Sequence, residues 1–325
     1  MKLFLAIAIV LAVTVAAFVA AADSDAAPAR VRASNRTRQV IVAMHGLDST
    51  APAMDAVLRD IKEVFPDAYV KSAEIVNGKN RWDSFFIPMN EQVRRFHEFI
   101  MRDPVLREGD FVVAGHSQGG VLLLGWLTKY SHLMPRPPRA FISWAGVVHG
   151  VSAVPDVNYY CPTTVPLCDV LPKIMSELAA GKWSPLCQLI SFCDYWYPQF
   201  FVDEYLARNT FLPVILNEGA VKNATHRSNM LRLRKVLLLK SGLDRIVVPP
   251  ESEHFGRFAN NSYSRVLSME ETEGYQKDWI GLRTLNEAGR IRREVVPCGH
   301  QDAPSKKRCP ESFKFVIETL KEVWA

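Results

Sequence analysis

The sequence predicts an α/β architecture, a mostly parallel central sheet with helices on both faces. Short β-rich runs alternate with helical periods through the first half of the chain, and that alternation calls for parallel strands joined by crossover helices. The chain has 325 residues, 48% hydrophobic and 22% charged, the composition of an ordinary globular protein and long enough for one large domain with an insertion. Disorder, collagen-like repeats and low complexity are excluded on the same grounds.

Residues 39–44 read as the first buried strand. Met54, Val57, Leu58, Ile61 and Val64 then recur with helical spacing until Pro66 stops the helix. A short strand at 69–72 follows, and Val93, Phe96, Phe99 and Ile100 give the next helix an apolar face that ends before Pro104. Residues 111–114 are the third strand, 119–130 a helix, and 140–145 the fourth strand. From about 149 to 230 the alternation breaks into a Cys-, Pro- and aromatic-rich insertion, which we expect to cap the domain. The sheet resumes at 235–239 and ends at 292–296; Phe313, Val316, Leu320 and Val323 mark one face of a terminal helix.

The start carries Lys2, an apolar stretch over 3–22 ending in small residues, and then an Ala/Pro-rich flexible segment to residue 38. This pattern is a secretory signal peptide, although its apolar core is long enough to serve as an uncleaved anchor. After cleavage no stable transmembrane span is expected in 39–325. The net charge of +5 is spread without long runs of one sign, too weak a footprint for nucleic acid.

Entry into the secretory pathway favours oxidised thiols. Proximity in the chain suggests the pairs Cys161–Cys168, Cys187–Cys193 and Cys298–Cys309, one of the 15 connectivities that six cysteines allow. None of them has His or Cys neighbours at zinc-site spacing, so no metal or other cofactor is expected. Sequons at Asn35, Asn223 and Asn260 fit the same compartment and predict exposed loops.

The chemistry is concentrated in Gly115-His116-Ser117-Gln118-Gly119-Gly120, which lies between an apolar strand and an apolar helix. It matches the nucleophile elbow G-x-S-x-G, in which a strained turn lifts a serine Oγ clear of the sheet. That setting indicates an α/β-hydrolase, where an acid and then a histidine follow the serine in the chain. Asp244 comes just after the strand 235–239, and His300 just after the final strand. His254 is the weaker candidate, read as a surface or packing histidine, and Asp156, Asp169, Asp194, Asp203 and Asp278 read as solvated. The two oxyanion donors are expected to be the backbone N–H of Gln118 and, from the loop after the first strand, that of Leu47.

These residues resemble the palmitoyl-protein thioesterases, lysosomal α/β-hydrolases that remove fatty acyl groups from cysteine. The likeness runs from about residue 40 to 320. It rests on His45-Gly46, Ser84-Phe85-Phe86 with Asn90 and Gln92-Val93, the Ser-Gln-Gly-Gly elbow, and Cys161 with Cys168. It continues through Tyr205 with Arg208-Asn209 and Phe211-Leu212, Asp244 with Val247 and Pro250-Glu251-Ser252-Glu253, and Gly281-Leu282 with Asn286-Glu287-Ala288-Gly289. The resemblance implies a Ser117, Asp244, His300 triad and hydrolysis of long-chain acyl thioesters from S-acylated proteins or peptides. His116 departs from the family's usual aromatic, and His254 from its Trp. A lipase or esterase acting on oxygen esters, and a non-catalytic binding protein on the same fold, are the rival readings.

Overall fold

A computed structural model describes residues 38–75, 81–153 and 189–325. The signal segment, Asn35, Cys161, Cys168 and Cys187 lie outside these residues. Residues Thr37–Ala325 form one compact unit.

Six parallel strands make the sheet: β1 (Val40–Met44), β2 (Tyr69–Ser72), β3 (Val112–His116), β4 (Ala140–Trp144), β5 (Lys235–Ser241) and, after the short antiparallel pair β6 (Arg257–Phe258) and β7 (Val266–Leu267), β8 (Ile291–Val296). Their spatial order is β2-β1-β3-β4-β5-β8. The chain runs outward in one direction from β1 to β2 and returns to build the rest on the other side of β1. The order therefore reverses between β1 and β3, and a crevice opens there at the carboxyl edge.

Both faces of the sheet are buried. Along β1, Val40, Val42 and Met44 point into one apolar cluster while Ile41 and Ala43 point into the other, the period-two alternation of a strand. On the first face, after the short helix α2 (Asp83–Phe86), lie α3 (Met89–Arg102), through Val93, Phe96 and Ile100, and α4 (Gln118–Tyr130). On the second lie α1 (Asp55–Val64), through Val57, Leu58 and Ile61, and the terminal helix α9 (Pro310–Trp324), through Val316, Leu320 and Val323. Every residue from Gln118 to Thr128 is buried, so α4 is apolar nearly all round because neighbours cover it on all sides.

The described part of the insertion contributes core as well as cover. It comprises α5 (Ser191–Asp194), α6 (Val202–Arg208), α7 (Leu212–Ile215) and α8 (Ala224–Leu231). Tyr195, Trp196 and Tyr197 are each at most 3% exposed and join Phe211, Leu212 and Ile215 in the cluster that covers α4. The apolar richness of this segment is therefore used largely in packing against the sheet's helices, while Phe200 and Phe201, at 40% and 37% exposure, are among the apolar side chains it leaves at the surface. Two carboxylates expected in solvent are buried instead. Asp194 accepts the Met89 N–H at 2.7 Å, and Asp278 accepts from Thr284 Oγ at 2.5 Å and Arg227 Nη2 at 2.6 Å. A carboxylate with no strand before it is not thereby exposed, because helix starts and ion pairs bury carboxylates equally well. Among the described residues no helix is long and apolar enough to cross a membrane.

Candidate active site

The parallel register brings four strand ends to one edge. Met44 stands beside Gly115, His116 beside Trp144, and Ser241 beside Val296. The segments that follow β1, β3, β5 and β8 thus carry Leu47, Ser117, Asp244 and His300 out on the same side of the sheet, at the crevice where the strand order reverses.

Ser117 has φ +55° and ψ −124°, a backbone region that residues with a Cβ rarely enter and that persists only when the surroundings impose it. The surroundings do. Ser117 N–H donates to Trp144 O at 3.0 Å, and its carbonyl accepts Gly120 N–H at 2.9 Å to start α4. The turn also needs glycine on both sides: a Cβ on Gly119 would lie 2.4 Å from Met44 O, and one on Gly115 2.5 Å from Gly119 O. Helix α4 consequently approaches β1 closely enough for Gly46 to pack against the Ser117 Cβ. A cavity of about 130 Å³ opens there, lined by Gly46, Leu47, His116, Ser117, Gln301 and Pro304 among others.

His300 Nδ1–H donates to Asp244 Oδ2 at 2.6 Å, with both side chains at most 1% exposed. Asp244 Oδ1 accepts two backbone N–H groups, from Ile246 at 2.6 Å and Val247 at 3.0 Å. Burial pushes the Asp244 carboxyl upward, but the His300 ring and the two amides outweigh it, and the group stays ionised below its ordinary value. With Nδ1 committed to the carboxylate, the free lone pair of a neutral His300 resides on Nε2. The two loops are tied together: Leu243 N–H donates to Cys298 O at 3.1 Å, and a disulfide joins Cys298 to Cys309. Cys193 is also disulfide-bonded, whereas the other cysteines of its segment lie outside the described residues.

His116 sits against His300, with ring centroids 5.0 Å apart. Burial, with His300 beside it, drives His116 down to about 3, so it is neutral at any working pH. The reading of His254 as a packing residue fits its place: it is partly buried and donates to Leu238 O at 3.2 Å, on β5 away from Ser117. Asn223 and Asn260 are exposed.

A polar clamp behind the elbow was not foreseen as a unit. Gln118 Nε2 donates to Ser84 O at 3.0 Å and faces Gln92 Oε1 at 3.2 Å, while its Oε1 lies 3.0 Å from both Ser191 Oγ and Tyr195 OH. Ser84 Oγ also accepts Asp48 N–H at 2.9 Å, and Asp48 pairs with Arg81 at 2.9 Å. Ser84 therefore links the loop that carries Leu47 to the residue after Ser117. Ser84 and Gln92 carried a signal only through family resemblance, since nothing in their spacing marks them. Among the described residues no group of His, Cys, Asp and Glu is placed to hold a metal ion.

The parallel sheet, the strained serine turn and the buried His–Asp pair define an α/β-hydrolase of the serine-hydrolase kind. The family model for palmitoyl protein thioesterase matches residues 40–300, and the chain belongs to that family. It is 32% identical to palmitoyl-protein thioesterase 3 of Dictyostelium discoideum, over 85% of this chain and 90% of the relative. It is 31% identical to palmitoyl-protein thioesterase 1 of Caenorhabditis elegans (83% and 89%) and 30% identical to the human lysosomal thioesterase PPT2 (82% of each).

Proposed function

We propose that this chain removes long-chain acyl groups from S-acylated cysteines, with Ser117 as nucleophile, His300 as base and Asp244 as the acid that orients it. The observation that carries the reading is the 2.6 Å His300–Asp244 bond, buried beside a serine held at φ +55°. In the first step His300 Nε2 takes the Ser117 Oγ proton as Oγ bonds to the thioester carbonyl carbon. The resulting oxyanion accepts the N–H groups of Leu47 and Gln118. The C–S bond then breaks, the thiolate leaves with the proton from His300, and water releases the acid by the same route. A thiol pKa near 8.5 makes that thiolate a good leaving group, so the proton from His300 matters less than it would for an oxygen ester.

The remaining assignments belong to the same proposal. Residues 1–22 are a signal peptide, 23–38 a flexible segment and 39–325 the catalytic domain with its insertion at about 149–230. The destination is the lysosome, Asn35, Asn223 and Asn260 carry glycans, and Cys161–Cys168 and Cys187–Cys193 are paired. Relatives named lysosomal thioesterases support the destination.

The test measures kcat/KM on acetyl, octanoyl and palmitoyl thioesters below their micelle concentrations, and on the palmitoyl oxygen ester. Rates rising with thioester chain length and exceeding that of the oxygen ester are expected. Equal turnover of acetyl and palmitoyl thioesters would remove the long-chain assignment, and a faster oxygen ester would make the protein a lipase or esterase.

A further inference from the structure

Behind Asp244 lies a second carboxyl, Glu253, in the 3-10 turn Pro250–His254, and it is fully buried at 0% exposure. Its Oε2 accepts the Ser241 N–H at 2.8 Å, at the end of β5 and three residues before Asp244. Its Oε1 is buried with no hydrogen-bond donor to accept, and the Asp244 carboxyl stands within reach of the Glu253 side chain. Two ionised carboxylates offer only acceptors to one another, so contact between them in a dry site repels unless one holds a proton.

The surroundings decide which one. Asp244 receives three donors, the His300 ring and the amides of Ile246 and Val247, whereas Glu253 receives one, from Ser241. Lys240 on β5, a cation that acts on Glu253, is engaged by Glu251 at 3.1 Å. The anion therefore settles on Asp244 and the proton on Glu253. We propose that Glu253 is a positioning residue of this site, a neutral acid whose Oε1–H donates to the Asp244 carboxylate.

That bond supplies a further donor to an aspartate already held by two amides and a histidine, and it fixes the carboxylate plane against which His300 aligns. Burial first, then the negative charge of Asp244, raise the Glu253 carboxyl well above its ordinary value. This is the direction the arrangement requires. The inference rests on the proposed triad, since a positioning role has meaning only if His300 and Asp244 act together.

The test has two parts, both on the full chain. Glu253→Met, similar in length but without a donor, should lower kcat at least ~10-fold with KM little changed, the effect of losing a hydrogen bond to a charged group. Glu253→Gln, whose amide keeps a donor, should recover activity to within about threefold of the wild type. Met as active as wild type, or Gln no better than Met, would overturn the proposal. The second part needs no turnover: the infrared difference spectrum of wild type minus Glu253→Gln at neutral pH should contain a protonated-carboxyl C=O stretch. Absence of that band would show Glu253 ionised and overturn the shared proton even where Glu253→Met fails to fold. Labelling of Ser117 by a serine-directed phosphonate, run alongside, separates this failure from failure of the triad itself.

Discussion

The Nε2–H of His116 donates to the backbone carbonyl of His300 at 2.9 Å across 184 residues of chain. The residue before the elbow serine thus holds the loop that presents the histidine. Because a carbonyl only accepts, Nε2 of His116 carries a hydrogen, and burial keeps the ring neutral, so it adds no positive charge beside His300.

Replacement of His116 by Phe, the family's usual kind of residue, removes one buried hydrogen bond while keeping a ring. We expect roughly a fivefold loss of kcat, about 1 kcal/mol, and no shift in the acid limb of the pH–rate profile. A shifted limb would mean that His116 is charged in the working enzyme.

Ser117→Ala should fold, because the substitution removes one oxygen from the edge of a cavity and leaves the turn's glycines in place. Activity and phosphonate labelling should fall at least ~10³-fold, and His300→Ala should match it. His254→Ala should be mild, since its bond goes to Leu238 O. The reverse ranking of the two histidines would reassign the base.

Asp194 is raised to about 6, first by burial and against the pull of the Met89 amide and Lys129. A carboxyl whose folded value is raised contributes stability that is complete below its unfolded value, near 4, and is lost as the pH rises through about 6. Asp194→Asn keeps an acceptor for Met89 N–H without the charge. Between pH 4 and pH 7 the variant should gain up to ~3 kcal/mol relative to wild type, measured by denaturant unfolding at each pH. A difference independent of pH would show that Asp194 is ionised in the fold at no cost.

Removal of the Cys298–Cys309 disulfide, by the double change to Ser, opens a short loop beside His300. A stability loss of ~2–3 kcal/mol is expected from the closed-loop entropy. Because Cys298 O accepts Leu243 N–H next to Asp244, kcat should fall as well, with KM steadier. Unchanged kcat in a destabilised variant would confine the disulfide to stability.

Much of the fold is written in local patterns of the chain. Apolar runs bounded by turns marked all six sheet strands to within two residues or so, and the glycines around Ser117 announced a turn that only close helix–strand packing requires. Chain order then singled out Asp244 and His300, because each follows the end of a strand, and parallel strands must deliver their carboxyl ends to one edge. Tertiary structure alone decided the rest, since it joins residues whose separation in sequence carries no period. Asp194 and Asp278 are buried because distant partners meet them. Tyr195 to Tyr197 are core because residues distant in sequence close over them, among them Gln118 at Tyr195 and Arg257 over Tyr197. The clamp through Ser84, Gln92, Gln118 and Ser191 exists only when the loops after β1 and β3 converge, and Glu253 reaches Asp244 only because the turn after β5 folds back onto the Ser241 N–H. A hydrogen bond depends on where atoms lie to within a few tenths of an ångström, and no one-dimensional pattern carries that.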